Sequence, residues 1–215
     1  MDTTATTTGA EGEAVAHFDE PGAWSRYNAT QVGRPPRALA RTLLQHAGDG
    51  DGRLALDLGF GAGVETALLL DRGWRVLAVD ADPAAGDSLR ARLPAEQATR
   101  LTVRTRAFAD LDDLPAVQLV HAAWSLPYAG VHLHRVWDAV LAALTPGGWL
   151  ACDLFGERDT TSDARDVAVL ADAEVERLLA RLDVVHREEQ EADGTSFDGP
   201  QHWHVHSVVG RRRPD

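Results

Sequence analysis

Asp57, Gly59, Gly61 and Gly63 stand at alternate positions in the stretch R-L-A-L-D-L-G-F-G-A-G-V-E-T, Arg53 to Thr66. Leu54, Ala55, Leu56 and Leu58 before them read as a buried strand, and Val64 to Arg72 after them reads as a helix. A strand, a tight glycine turn and a helix N-terminus make a nucleotide-binding βα unit. Its glycines permit positive φ and let a ligand approach the backbone closely. A dinucleotide fingerprint needs a glycine at position 64, where Val64 stands, so a nicotinamide oxidoreductase is disfavoured. Asp80 closes the next strand-like run, Trp74 to Val79, at the spacing of a carboxylate that accepts from both hydroxyls of a ribose.

A second group of chemically capable residues lies near the C-terminus. His202, His204 and His206 alternate, so on a strand they share one face. Two imidazoles on one face can hold zinc. The expectation here is no metal, with the three histidines as polar residues of a strand near a pocket or the surface. The acidic run E-E-Q-E-A-D-G before them reads as a solvated hairpin arm. For proton transfer the imidazoles near ligand-side segments are His132, His134, His202 and His204, and the sequence singles out none. His202, His204 and Tyr27 stand as the catalytic candidates.

These residues need elements to position them. Phe18, Trp24 and Tyr27 are too many aromatics for a linker; they suit a packed amphipathic element or a lid over the ligand. Arg34-Pro35-Pro36-Arg37 opens a helix carrying Leu39, Leu43 and Leu44, because proline is tolerated in a first turn. Leu101 to Arg106 alternates as an edge strand does. F-A-D-L-D-D-L-P follows it, with Asp110 as an acceptor for an adenine amino group. Val117 to Trp124 reads as a fourth strand, and Trp124, Ser125, Pro127 and Tyr128 follow at its ligand-side end. Leu133, Val136, Trp137, Val140, Leu141 and Leu144 mark a helix, which Pro146-Gly147-Gly148 is expected to end. Trp149 to Phe155 is a fifth strand, with Cys152 an inert core thiol. Val175, Leu178, Leu179 and Leu182 mark a last helix. A sixth strand from Val184 and a final one from His202 to Val209 close the chain as an antiparallel hairpin.

The 215 residues suit one α/β domain. A formal net charge of -12 argues against gripping nucleic acid or an anionic membrane. The single cysteine fits a reducing cytoplasm. The N-terminus lacks the pattern of a secretory signal, and no apolar run is long enough to span a bilayer. Expected boundaries are a disordered tail at 1–17, a lid and helix at 18–52 and a core at 53–215.

In order along the chain, RPPR, LDLGFGAGVETALLLDRGWRVLAVDADP, SLPY, LFGERD and HWHV form a pattern that resembles class I S-adenosylmethionine (SAM) methyltransferases. It is similar to the small tellurite-resistance type and more distantly to thiopurine methyltransferases. Phe60 departs from it, where that family usually carries a small Cys. The resemblance implies a Rossmann-like, seven-stranded, mostly parallel sheet with helices on both faces. It implies SAM held by Asp57, Gly59, Gly61, Gly63, Asp80, Ala81 and Asp110, and S-adenosylhomocysteine as product. Trp124 and Arg34 join the expected cofactor site, Arg34 as a partner for the ligand carboxylate. Trp24, Tyr128, Phe155 and Arg158 are expected around a small-molecule acceptor. The expected enzyme is a monomer or homodimer that moves a methyl group to an O, N, S or chalcogen nucleophile. The competing reading is a protein of the same fold that binds SAM without methylating.

Overall fold

The computed structural model describes residues 20, 22–161, 167–197 and 199–213. The expected tail at 1–17, and Phe18 with it, lies outside the described residues. The strands are β1 (Leu54–Leu58), β2 (Arg75–Asp80), β3 (Leu101–Thr105), β4 (Val117–Ala122), β5 (Leu144–Gly156), β6 (Val169–Leu170), β7 (Leu182–Ser196) and β8 (Gly199–Arg212). The helices are α1 (Ala23–Thr30), α2 (Ala38–Ala47), α3 (Val64–Asp71), α4 (Ala85–Arg90), α5 (Ala95–Ala98), α6 (Leu133–Ala143) and α7 (Asp172–Leu179).

The sheet runs β3-β2-β1-β4-β5-β8-β7, with the short β6 pairing β5 off this path. β1 to β5 are parallel, and β8 runs antiparallel to both β5 and β7. This is the α/β, Rossmann-like arrangement with a closing antiparallel hairpin.

Strand alternation divides the core between the two faces. Leu56 and Leu58 of β1 pack with Val136, Trp137 and Val140 of α6 and with Val175 and Leu178 of α7. Ala55, the residue between, belongs to the other face with Leu43 and Leu44 of α2 and Leu69 and Leu70 of α3. A strand covered on both faces has no polar side to show, which is why β1 reads as a nearly continuous apolar run. Trp74 and Trp137 are fully buried, one in each layer. Truncating such a side chain to alanine typically costs about 3–5 kcal/mol.

Several element boundaries differ from the sequence reading, among them those of β4, β5 and β7. β4 stops at Ala122, because Trp124 takes a left-handed conformation, φ 54°, and turns the chain. β5 begins at Leu144, ahead of the expected Pro146-Gly147-Gly148 turn. The glycines form an irregular start to that strand, where the register with β4 shifts between Val117 and Leu119. β7 begins at Leu182, which thus belongs to the strand and not to α7. Among the described residues no helix is long and apolar enough to cross a membrane.

Candidate functional site

Chain order in the sheet reverses between β1 and β4, so the carboxyl ends of the strands part there and leave a crevice. A cavity occupies that position. Its floor is Asp57 of β1 with Gly59 and Gly61 after it, Asp80 at the end of β2 with Ala81, and His121 of β4 with Trp124 beyond it. Ala107 and Phe108, beyond β3, form one wall. Trp24, Tyr27, Asn28 and Gln31 of the α1 segment cover it, with Arg34 and Arg37 beside them.

α1 is held over the loop by specific bonds. Ser25 Oγ donates to Asp82 Oδ1 at 2.7 Å, and Asn28 Nδ2 donates to Asp82 Oδ2 at 3.0 Å. Trp24 meets Tyr128 edge to face with ring centroids 4.9 Å apart, and Tyr27 meets Phe197 at 5.8 Å. The glycine loop is shaped to accept this cover. Gly61 has φ 52°, and a Cβ there would stand 2.8 Å from Asn28 Oδ1. Gly59 has φ 66°, and a Cβ there would stand 2.4 Å from Ser125 Cβ. Packing within the protein therefore demands both glycines before any ligand is considered.

Asp80 ties the loop to β2. Its Oδ2 accepts from Gly61 N–H at 2.7 Å and its Oδ1 from Asp82 N–H at 2.8 Å. Burial raises its pKa, against the pull of those two N–H groups. Each carboxylate oxygen keeps a further lone pair for a ligand hydroxyl.

Asp57 and His121 are register partners on β1 and β4. Asp57 Oδ1 lies 2.9 Å from His121 Nδ1, and Thr66 Oγ1 donates to Asp57 Oδ2. Burial works to lower the His121 pKa, but Asp57, with Glu65 and Asp153 beside it, turns the net direction upward. His121 Nε2 is buried and has no hydrogen-bond partner among the described residues. A polar atom left this way at a cavity floor calls for a polar group of a ligand. Together with the Asp80 lone pairs, it makes the floor fit a SAM-type cofactor, which brings a ribose diol and charged amino-acid groups.

Arg34 also lines the cavity, but its guanidinium is already engaged. Nη1 and Nη2 donate to the two oxygens of Glu65 at 2.6 and 2.7 Å, and Arg37 N–H donates to Oε1 at 2.9 Å. Burial alone would raise the Glu65 pKa, yet Arg34, His121 and the Arg37 N–H hold it down at about 2. Arg37 lies over Trp124, 5.4 Å from the ring centroid.

Of the residues singled out from sequence, the cavity brings together Asp57, Gly59, Gly61, Asp80, Ala81, Trp124, Arg34, Tyr27, Trp24 and Tyr128. Gly63 stands behind the loop at the start of α3, packed on Leu89. Asp110 lies in an exposed 3-10 turn, Phe108–Asp110, outside the lining, whereas Ala107 and Phe108 of the same segment line the cavity. Phe155 is fully buried under Trp124 and Tyr128, a support rather than a wall. Arg158 bonds Glu189 and Glu191 on β7, and β8 supplies none of the lining. The expectation that His202 and His204 serve the acceptor is thus not met by their placement. The β7–β8 ribbon carries them away from the cavity, where His202 meets Asp193 and His204 meets Glu189.

Sequence reasoning passed over Asn28, Glu65, Phe108 and His121. Only His121 carried a signal: a lone imidazole inside the apolar run V-Q-L-V-H-A-A-W.

Residues 55–148 match the model of a family described as a methyltransferase domain. No curated protein matches the chain. Among solved structures, the chain is similar to 1,6-didemethyltoxoflavin-N1-methyltransferase of Burkholderia thailandensis with bound 1,6-didemethyltoxoflavin and S-adenosylhomocysteine. The TM-score is 0.66 at 19% identity, over 88% of this chain and 83% of that one. It is similar to the N-methyltransferase NodS of Bradyrhizobium japonicum with S-adenosylhomocysteine, at TM-score 0.63 and 21% identity, over 92% and 90%. It is also similar to TehB of Haemophilus influenzae, at TM-score 0.65 and 10% identity, over 88% and 67%. At these identities the shared property is the fold.

Proposed function

We propose that this chain, a class I SAM-dependent methyltransferase by its matched domain and its fold, methylates a small molecule held beneath α1. One observation carries the reading. A single cavity joins the Gly59–Gly61 loop and Asp80 to an aromatic box of Trp24, Tyr27, Trp124 and Tyr128. Cofactor chemistry and acceptor recognition thus share one enclosure.

On this reading Asp80 accepts from the ribose hydroxyls, and Ala81 and Phe108 flank the base. Asp57 and the open His121 Nε2 face the amino-acid end. Arg34 acts there through Glu65, which it locks in place. SAM supplies an activated methyl group and a good leaving group; the protein supplies alignment and exclusion of water. The aromatic box does both, since rings cover large apolar area at low rotamer cost. Arg37, stacked on Trp124, offers a cation to an anionic or polarised acceptor. Tyr27 is the acceptor-side hydroxyl that orients the nucleophile. Thiol and chalcogen acceptors need little base assistance once ionised, which suits a box with few titratable groups.

The test begins with calorimetry. SAM and S-adenosylhomocysteine are expected to bind at micromolar affinity, and NAD is not. S-adenosylhomocysteine release is then followed across thiol, selenide, phenol and amine acceptors. Absence of SAM binding at millimolar concentration removes the reading. Binding without turnover of any acceptor class favours a non-methylating role.

A further inference from the structure

His204 and His206 stand two residues apart on β8, so both point to the sheet face opposite Trp203 and Val205. Trp203 and Val205 pack with Phe155, Trp124 and Tyr128 on the cavity side. The two imidazoles instead look toward Glu189 of β7 and toward Asp172, the first residue of α7. One ligand atom from each of these four residues lies within 4.8 Å of the others. Both histidine side chains are fully buried, whereas Glu189 and Asp172 are 45% and 65% exposed.

His206 is the informative member. Neither of its ring nitrogens has a hydrogen-bond partner among the described residues. Nε2 stands 3.9 Å from Asp172 Oδ1, and Nδ1 stands 4.0 Å from Glu189 Oε2. Those gaps are too long for hydrogen bonds. An imidazole gives a single ion only one of its nitrogens, and either gap is within reach of the spacing of donors around an ion, since ligands about 2.0–2.1 Å from a tetrahedral zinc stand about 3.3–3.4 Å apart. Exposed carboxylates can close the remaining distance by rotation, while the buried imidazoles stay fixed.

We propose that Asp172, Glu189, His204 and His206 form a binding site for a zinc-type divalent cation, separate from the methyl-transfer cavity. Two imidazoles and two carboxylates are a donor set suited to first-row divalent metals and poorly suited to magnesium. Two carboxylate charges match the charge of the ion. The guanidinium of Arg158 now stands beside the set: Nη2 is 3.0 Å from His204 Nε2 and 3.2 Å from Glu189 Oε1. His204 Nε2 also lies 3.0 Å from Glu189 Oε1, an acceptor that favours a proton on Nε2, so ligation of a metal through Nε2 requires that proton to move to Nδ1. The longer contact from the Arg158 backbone N–H to Nδ1, 3.3 Å, is given up in that tautomer. Arg158 is 41% exposed and also bonds Glu191, so it has a place to withdraw to. The ion would tie the start of α7 to the β7–β8 ribbon.

The experiment uses the tag-free full chain, stripped with chelator and titrated with zinc chloride, then with cobalt(II) chloride to read its visible absorption. One zinc per chain, a rise in thermal midpoint and the intense spectrum of low-coordinate cobalt are expected; magnesium chloride gives none of these. His206→Leu and Glu189→Gln are each expected to weaken zinc binding at least tenfold. Glu189 is half exposed, so its variant keeps the test valid if the first fails to fold. His202→Ala, which removes the neighbouring surface histidine, is expected to leave zinc affinity within twofold. Arg158→Gln is expected to tighten it severalfold by removing the competing cation. No zinc binding, loss of binding with His202→Ala, or full binding by Glu189→Gln overturns the proposal.

Discussion

Arg34 grips Glu65 with both arms of its guanidinium, at 2.6 and 2.7 Å, inside the cavity wall. The pair joins the segment before α2 to the first turn of α3, and Glu65 is nearly buried. Such a bidentate contact fixes geometry as well as charge. Its Nη1 and Nη2 are thereby taken up by Glu65, while its buried Nε has no hydrogen-bond partner among the described residues.

The first prediction follows from that pair. The Glu65 pKa in the fold is about 2 against an ordinary 4.5. A depressed carboxyl contributes stability that is complete above the unfolded value and lost as pH falls through the folded one. The difference corresponds to about 3 kcal/mol. Glu65→Gln is expected to lower stability by about that amount at pH 7, with the gap to wild type closing between about pH 4.5 and about pH 2. Urea unfolding across that range checks it, and a gap independent of pH contradicts it.

Asp80 is predicted to matter twice, to the ligand and to the loop. It anchors Gly61 and Asp82 through their N–H groups and keeps lone pairs toward the cavity. Asp80→Asn is expected to weaken SAM and S-adenosylhomocysteine about tenfold or more, the loss of one charge-assisted hydrogen bond. Asp80→Ala, which also frees the loop, is expected to cost more. Unchanged affinity in both variants, measured by calorimetry, would remove Asp80 from the site.

The α1 segment is predicted to act as a lid. Its bonds to the core run through Ser25 and Asn28 to Asp82, and its rings face Tyr128 and Phe197. A chain beginning at Val32 keeps Arg34 for Glu65, and is expected to retain its circular dichroism while losing most SAM affinity and all methyl transfer. A truncated protein that stays fully active would falsify the lid; one that unfolds makes the segment part of the core.

Nucleic acid is predicted not to bind. A net charge of -12 leaves no net attraction to phosphate, and such binding rests on counterion release by basic side chains. A mobility shift with duplex DNA or structured RNA at physiological salt should show no complex below micromolar concentration. A salt-resistant complex there contradicts the expectation.

The sequence by itself determined what depends on near neighbours. The glycine turn after β1, the acid closing β2 and the amphipathic face of α6 are local patterns, because φ restriction and side-chain periodicity act over a few residues. The reversed closing strand was legible too, from a hairpin that follows alternating βα units. Tertiary structure alone decided the pairings. Arg34 meets Glu65 across 31 residues, and His121 meets Asp57 across 64. Alternation placed His202, His204 and His206 on one face, but not on which face. That was settled when β8 inserted between β5 and β7 with Val205 against Phe155, which turned His204 and His206 toward α7 and away from the cavity. Register and strand order are properties of the assembled sheet, and a shift of one residue would have exchanged the two faces.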